Sequence, residues 1–160
     1  MRRSDREIKD FGEIVEVMEQ CDVCRLALND EEYPYIVPLN FGMTVENDVV
    51  TLYFHSALNG KKLDLIRRDN HACFEMDCDR ILFTEDKIGN CTMSYKSVIG
   101  RGTIEFVPDE EKFDALKILM AHYRKEDFPF NEKVVPKTAV FKLTVSEITG
   151  KKRMKPASEG

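Results

Sequence analysis

The sequence predicts a mainly β fold of the α+β class, a small antiparallel barrel with helices at its periphery. About six strand-like stretches follow one another with few helices between them, which argues against a doubly wound parallel sheet. Gly100 and Gly102 lie inside the longest of these stretches, where a closing barrel needs a strand to bend sharply. A chain of 160 residues is long enough for one domain with one main core, and we expect residues 1–160 to form it.

The N-terminal part begins with a predicted helix over residues 10–20. Asp10 and Glu13 form a capping-box pattern, and apolar residues recur at helical spacing at Phe11, Ile14, Val15 and Met18. Residues 23–28 then alternate between apolar and other side chains. This alternation predicts a strand in which every second side chain, from Cys24 on, faces the core.

Two further strands are predicted over residues 35–44 and 49–55, separated by the turn residues 46–48. Pro38 lies inside the first of them. A proline has no N–H to donate to a sheet, so Pro38 marks either a sheet edge or a bulge. The sequence leaves both alternatives open.

The C-terminal part begins with a short helix predicted over residues 61–68, with Asn59 as its N-cap. Strands follow over residues 71–77, 92–107 and 138–148, and residues 80–91 form either a loop or a short strand extension. A helix is predicted from Pro108 to about Tyr123, with a buried stripe at Leu116, Leu119, Met120 and Tyr123. We interpret His122 on this helix as structural or exposed rather than as a ligand. Residues 127–136 are predicted to form a loop, and residues 151–160 a basic tail that is flexible from about residue 153.

Composition and charge argue against several classes of partner. A net charge of −5 disfavours general nucleic-acid binding, which needs a basic face. No apolar run reaches the ~18 residues that span a bilayer, and no hydrophobic signal region follows Met1. We therefore expect a cytoplasmic protein with no membrane and no nucleic-acid partner.

The five cysteines do not form a recognisable metal site. Cys21 and Cys24 make one C-x-x-C pair, which occurs in zinc and redox sites, but a structural zinc site needs a second pair. The pattern favours reduced, mostly buried thiols, and we assign no metal ligand.

The stretch from Tyr53 to Arg68 carries the strongest indication of function. It has the pattern of a strand end, a tight turn and a helix start, with Gly60 where a ligand would meet backbone. Lys61 and Lys62 open the helix, although the helix dipole disfavours a cation there by up to ~1 kcal/mol. A bound phosphate would explain them, because it attracts both ammonium groups and the free N–H groups of the helix start. From the residues alone, a solvated surface pair is the alternative.

The same stretch resembles the phosphate-binding turn of the FMN-binding split-barrel superfamily, whose best-known member is pyridoxamine 5′-phosphate oxidase. Residues 25–27, 33–42, 97–102 and 148–152 resemble, in the same order, the nitroimidazole-resistance (Nim) type flavoproteins within it. The ordered set extends the resemblance over roughly residues 2–153. It implies a split β-barrel with Greek-key-like closure, and a homodimer with the flavin site at the subunit interface.

The resemblance also implies which residues hold the FMN. The turn before the second helix would supply His55, Ser56, Ala57, Gly60, Lys61 and Lys62. The ring would be lined by Val37, Pro38, Leu39 and Asn40, and Ser97 and Val98 would close the site. Lys151 and Lys152 are candidates to reach the partner subunit's flavin, and a frayed basic tail is the alternative.

Two functions fit these residues. The first is an FMN-dependent reductase that passes electrons from a nicotinamide nucleotide or another donor to a small oxidised acceptor, such as a nitroaromatic (nitroimidazole) compound, with His55 as general acid. The second is a flavin-binding carrier, sensor or storage protein without turnover, favoured by the lack of a dedicated nicotinamide site. A split barrel with haem or a deazaflavin is a third reading, in which His55 or His71 would ligate haem. The sequence departs from the oxidases in two ways: it has Lys61-Lys62 where they tend to have Arg-Lys, and it lacks the substrate-binding residues near their C-terminus. We therefore do not infer pyridoxamine phosphate as the substrate.

Overall fold

The structure, a computed structural model, describes residues 3–154. The strands among these residues are β1 (Glu7–Ile8), β2 (Cys24–Leu28), β3 (Tyr35–Leu39), β4 (Gly42–Glu46), β5 (Val49–Ala57), β6 (His71–Glu85), β7 (Asn90–Phe106) and β8 (Thr138–Arg153). The helices are α1 (Phe11–Glu19), α2 (Lys61–Arg68) and α3 (Lys112–Tyr123). Single 3₁₀ turns occur at Ser4–Arg6, Asp109–Glu111 and Val135–Lys137.

All of these strands join one antiparallel sheet whose two ends meet. The strand order is β3-β2-β6-β7-β8-β5-β4, with β1 paired to β8 outside this path. The end strands β3 and β4 are consecutive in the sequence and are joined only by Asn40 and Phe41. Such a connection spans at most about 11 Å, so the sheet must curl until its ends lie side by side. Within residues 3–154, β3 and β4 do not pair, and we call this open line the split. The arrangement confirms the predicted split barrel with peripheral helices.

Close packing inside the barrel explains the two glycines of β7. A Cβ at Gly100 would overlap the Phe74 ring, and a Cβ at Gly102 would overlap the Thr144 carbonyl group. The register between β7 and β8 also shifts between Arg101 and Gly102. These glycines therefore allow the strands to approach where the barrel bends, as predicted.

Helix α3 fills one end of the split. A Cβ at Gly42 would overlap the Leu119 backbone, so strand and helix are in direct contact. The Tyr123 hydroxyl accepts a hydrogen bond from the Phe41 N–H (2.9 Å) and donates one to the Asp22 carbonyl (2.8 Å). His122 Nε2 donates to the Cys21 carbonyl at 2.8 Å, so the structural role expected for His122 is confirmed.

Local predictions near the N-terminus are confirmed. Asp10 caps α1, its Oδ1 accepting from the Glu13 N–H at 2.8 Å. In β2, Cys24, Leu26 and Leu28 are buried while the residues between them are half-buried.

Several predicted boundaries are wrong. Residues 35–44 form two strands rather than one, because the break at Asn40 and Phe41 depends on pairing with distant strands. Over the described residues 3–154, the sheet therefore has eight strands rather than about six. Of the two alternatives for residues 80–91, the strand extension is correct but longer than expected, with β6 running to Glu85 and β7 starting at Asn90. Strand β8 continues to Arg153 because it pairs with β1 and β7, so residues 151–153 are not a tail; residues 155–160 of the predicted tail lie outside the described residues.

The buried face of α3 also differs from the prediction. Lys112, Ala115, Leu116 and Leu119 are buried. Met120 is only half-buried, and Tyr123 stays 38% exposed while its hydroxyl is engaged.

The cysteines are all unbridged thiols, and only Cys21 and Cys24 are buried. The expectation of mostly buried thiols is therefore wrong for Cys73 and Cys91, which are exposed. Among residues 3–154, no three His, Cys, Asp or Glu side chains lie close enough to hold a metal ion. In the same range, no helix has both the length and the apolar character that a membrane span requires.

We expect Tyr123→Phe to lower the free energy of unfolding by about 1–3 kcal/mol, because the buried Phe41 N–H loses its acceptor. Urea denaturation measures the change. Tyr33→Phe is the matched control, since Tyr33 is 72% exposed, and it should change the value by less than about 0.5 kcal/mol. Equal effects of the two substitutions would contradict a role for Tyr123 in holding the split.

Candidate functional site

The turn between β5 and α2, residues 58–60, presents an unusual helix start; we call it the α2 turn. Gly60 rather than Asn59 occupies the N-cap position, so the predicted Asn59 cap is wrong. Gly60 has a φ of +142°, which other residues rarely adopt, and the space where its Cβ would lie is open. No side chain caps the helix, and within residues 3–154 the N–H groups of Lys61 and Lys62 have no backbone partner. These N–H groups are therefore available to an anion.

The two lysines of the helix start have different surroundings. Lys61 Nζ lies 2.6 Å from Asp30 Oδ2 and 5.3 Å from the centre of the Tyr35 ring. This contact is the main cause that lowers the pKa of Asp30. Lys62 has no ion-pair partner among the described side chains, and its ammonium group is close enough to affect His55. Lys61 is thus held by the β2–β3 turn, while Lys62 remains available to the site.

His55 lies on the outer face of β5, directly opposite Val140 of β8. Partial burial lowers its pKa, and the nearby Lys62 ammonium lowers it further. The imidazole is therefore mainly neutral at pH 7. The next side chain, Ser56, leaves the strand on the opposite face, and its hydroxyl donates to the Ala57 carbonyl at 2.8 Å. The structure therefore brings His55 and Lys62 together and directs Ser56 elsewhere.

The predicted ring-lining residues 37–40 border the split. Among the described strands, β3 pairs only with β2, so Pro38 lies on a sheet edge. The β2–β3 register runs without a shift past it. Of the two alternatives for Pro38, the edge is therefore correct. Val37 and Leu39 are half-buried while Pro38 and Asn40 are exposed, and Asn40 Nδ2 donates to the Asp22 carbonyl at 3.4 Å.

The two remaining predicted residues lie far from the α2 turn. Val98 is fully buried, so its side chain faces the core. Ser97 lines a depression of about 270 Å³ together with Ile99, Thr149 and Lys151. Ser97 pairs with Lys151, whereas His55 pairs with Val140. At ~3.3 Å per residue, these positions are on the order of 30 Å apart along β8, so one chain presents two separate groups.

Sequence reasoning missed the side chains that hold the site in place. Asp30 lies 2.6 Å from Lys61 and 3.6 Å from Arg68, and so joins the β2–β3 turn to α2. In the sequence, the acidic residues 30–32 and the basic helix 61–68 indicate that ion pairs could form between them. The sequence does not show which carboxylate pairs with which cation. Lys152 is also engaged, with Nζ at 2.6 Å from Glu13 Oε1, whereas Lys151 lines the depression beside Ser97.

A larger cleft of about 710 Å³ contains none of the residues assigned to the flavin. It is lined by residues that include His71, Cys73 and Arg101. The Nδ1 atom of His71 lies 2.7 Å from Asp69 Oδ1. His71, the alternative haem ligand, is therefore part of a different surface from the α2 turn.

Comparison with known proteins identifies close relatives of this architecture. The sequence model described as pyridoxamine 5′-phosphate oxidase matches residues 10–152, and no curated protein matches the chain. A solved structure of a candidate 5-nitroimidazole antibiotic resistance protein from Bacteroides thetaiotaomicron is 36% identical, covering 91% of this chain and 85% of that one, with a TM-score of 0.78.

Two more distant structures share the fold. A FAD and haem binding protein from Mycobacterium smegmatis is 15% identical, with 97% of this chain and 77% of that one covered and a TM-score of 0.80. A flavocytochrome from Azotobacter vinelandii is 19% identical, with 98% and 73% covered and a TM-score of 0.78. The matches confirm the resemblance noted in the sequence.

We expect the pKa of His55 to lie below its ordinary value of 6.5, as an NMR titration of its ring protons would measure. Lys62→Ala should raise this pKa, because a neighbouring positive charge is removed. Lys61→Ala is the control and should change it little, since the Lys61 ammonium is held by Asp30. Equal shifts in both variants would contradict the division between the lysines. Because folding favours the neutral ring, protonation below pH ~6.5 should also lower the free energy of unfolding.

Proposed function

The chain belongs to the pyridoxamine 5′-phosphate oxidase family, and we propose that it binds FMN at the α2 turn and reduces small oxidised acceptors such as nitroaromatic compounds. The observation that carries the proposal is the start of α2, where Lys62, His55 and unpaired N–H groups converge. In this proposal the protein is a cytoplasmic enzyme that takes electrons from a nicotinamide nucleotide or another donor.

The residues at the α2 turn fit a phosphate group. The exposed N–H groups of Lys61 and Lys62 can donate to its oxygens, and the helix dipole favours its charge. Lys62 supplies a cation that no carboxylate of residues 3–154 neutralises, and Gly60 leaves the backbone open. The flavin itself would supply the electron transfer, while the protein sets its position and surroundings.

The role of His55 follows from its electrostatics. A neutral imidazole is a poor proton donor, so in the free protein His55 is suited to hydrogen bonding rather than to general acid catalysis. A phosphate dianion beside it would favour the charged ring and raise its pKa. Binding of the phosphate would therefore favour the charged imidazole and strengthen its hydrogen bond to the phosphate. Because the ribityl chain separates the phosphate from the reacting ring, this placement suits His55 to cofactor binding and gives no support to the general-acid role expected from the sequence.

The acceptor class is proposed from the relative that is 36% identical, a candidate 5-nitroimidazole antibiotic resistance protein. That similarity covers 91% of this chain. Nitroaromatic compounds are therefore the first acceptors to test. A flavin-binding protein without turnover is the competing function.

The separation of the two residue groups supports a homodimer with shared sites. The partners of His55 and Ser97 lie on the order of 30 Å apart along the contour of β8, which favours their contacting different flavins over one shared flavin within the chain. In a twofold dimer, the Ser97–Lys151 depression of one subunit can approach the α2 turn of the other. Each flavin would then contact Lys62 of one chain and Lys151 of its partner, which is how Lys151 could reach a partner's flavin.

The test of function begins with FMN titration, followed by flavin fluorescence. Lys62→Ala should weaken FMN binding at least about tenfold, because a charge-assisted contact is lost, and Lys61→Ala should weaken it much less. The loaded wild type is then mixed anaerobically with reduced nicotinamide nucleotide and a nitroimidazole. We expect nucleotide oxidation that depends on the acceptor. Bound FMN without such oxidation would support the non-enzymatic alternative, and absence of FMN binding would overturn the site.

The shared site predicts complementation between two defective variants. Lys62→Ala and Lys151→Ala should each bind FMN weakly alone, whereas a randomly reassembled mixture should regain about a quarter of the intact sites. Lys152→Ala, whose side chain is held by Glu13, is the control and should bind FMN normally. If the mixture binds no more FMN than the two variants separately, each site lies within one subunit.

A further inference from the structure

Cys21 and Cys78 come from distant parts of the sequence, and their thiols meet at the C-terminal end of α1. Both sulfurs lie near the same acceptor, the Val17 carbonyl oxygen, at 3.2 Å for Cys21 Sγ and 4.0 Å for Cys78 Sγ. These two distances limit the separation of the sulfurs to about 7 Å. Neither the family resemblance nor the proposed function uses either thiol.

The two thiols also interact with each other directly. Burial is the main cause that raises the pKa of Cys21 to about 12, and the adjacent Cys78 thiol contributes to the rise. Burial likewise raises the pKa of Cys78, whereas a hydrogen bond from the Cys21 thiol lowers it. Because this hydrogen bond places the side chains in contact, a small displacement brings the sulfurs to the ~2.05 Å separation of a disulfide.

The backbone around both cysteines can accommodate this displacement. Cys21 follows Gln20, the C-cap residue of α1, and precedes β2, so it belongs to neither element. Cys78 is the last residue of β6 before its register with β7 shifts, and the next residue, Asp79, has a φ of +55°. The ladder is locally interrupted at such a shift, so its backbone adjusts with little loss of hydrogen bonds. The sulfurs can therefore approach through a local movement.

Only one of the two thiols can meet an oxidant from solvent. Cys21 is 2% exposed, whereas Cys78 is half-buried. Cys78 Sγ lies 4.0 Å from Gln20 Oε1, and this oxygen also accepts a hydrogen bond from Lys96 Nζ at 3.2 Å. The Lys96 charge favours the Cys78 thiolate, although burial and the Asp79 carboxylate keep the pKa of this thiol raised. Cys78 is therefore the thiol that reacts first, and its reaction at pH 7 is slow because its thiolate is scarce.

The other three cysteines are less suited to pair with Cys21. Cys24 faces the core from β2 and is fully buried. Among the hydrogen bonds of residues 3–154, its thiol does not share the Val17 acceptor that Cys21 and Cys78 have in common. Cys73 and Cys91 are exposed on the outside of the sheet. An internal bond of Cys21 is therefore expected with Cys78.

We propose that Cys21 and Cys78 are a modification site at which a small peroxide forms an internal disulfide. The Cys78 thiolate attacks hydrogen peroxide and the O–O bond breaks, which leaves a sulfenic acid on Cys78 and, after protonation, one water. The Cys21 sulfur then attacks the Cys78 sulfur, and the S–O bond breaks. The leaving hydroxide departs as a second water with the Cys21 proton. Two thiols are thus oxidised, one peroxide is reduced, and no flavin takes part.

The disulfide would hold the segment that anchors α3 at the split. The Cys21 carbonyl accepts a hydrogen bond from His122 Nε2, and the Asp22 carbonyl accepts one from the Tyr123 hydroxyl, both at 2.8 Å. The new bond would link this segment to β6. It would close a loop of about 57 residues, which restricts the unfolded chain. We therefore expect the oxidised protein to resist urea better than the reduced protein.

The test treats the wild type with excess hydrogen peroxide, blocks the remaining thiols and maps the peptides by mass spectrometry without reduction. We expect a peptide pair joined through Cys21 and Cys78, and its loss after treatment with dithiothreitol. The urea midpoint should rise on oxidation and return on reduction. Cys78→Ala should lose both responses. The double variant Cys73→Ala, Cys91→Ala is the matched control, and it should keep both because it removes only exposed thiols.

Each other outcome contradicts part of this inference. A bond between Cys21 and Cys24, or oxidation confined to Cys73 and Cys91, would overturn the modification site. A bond between Cys21 and Cys78 that leaves the urea midpoint unchanged would keep the site and overturn its effect on the split. The mapping uses the wild type, and the variant is placed at the half-buried Cys78 rather than at the buried Cys21. The result therefore does not depend on how a substitution in the core folds.

Discussion

The two-residue connection between β3 and β4 is the constraint on which the rest of the structure depends. It joins the two ends of the sheet path, so the sheet has to close on itself although its end strands do not pair within the described chain. Closure leaves backbone groups at the split that need partners. The Tyr123 hydroxyl supplies two such partners, because it accepts a hydrogen bond from the Phe41 N–H and donates one to the Asp22 carbonyl. The position of α3 is therefore a consequence of how the barrel closes.

Closure of the barrel also fixes the position of the first turn of α2. α2 buries Leu63, Leu65 and Ile66 in the core, so its first turn is held at one end of the barrel. The contact of Lys61 with Asp30 offsets part of the unfavourable charge at this helix start, although an exposed pair contributes only about 0–1 kcal/mol. Lys62 has no carboxylate partner among the described side chains, and its charge also disfavours protonation of His55. An anion would relieve both effects, which is why the arrangement favours ligand binding over stability alone.

The sequence was sufficient where structure is encoded locally. The Asp10 cap, the alternation of β2 and the glycines of β7 were predictable because each depends on neighbouring residues or on one close approach. The break at Asn40 and Phe41 was not predictable, since residues 35–44 all suit a strand and only long-range pairing separates them. The extension of β8 to Arg153 likewise depends on β1 and β7. Within the site, the grouping of His55 with Lys62 was expected only from the family resemblance, and the capture of Lys61 by Asp30 required the fold.

The positions of the site residues along β8 would link dimer assembly to flavin binding. β8 carries the partner of His55 near its start and the partner of Ser97 near its end, so these positions point to separate regions of the surface. In the proposed dimer, each flavin would bridge two subunits and would bind the assembled form more tightly than the free chain. By mass action, such a ligand stabilises the dimer, and dilution of the protein weakens flavin binding. The length of β8 would then make cofactor retention depend on protein concentration, which a site contained in one chain would not show.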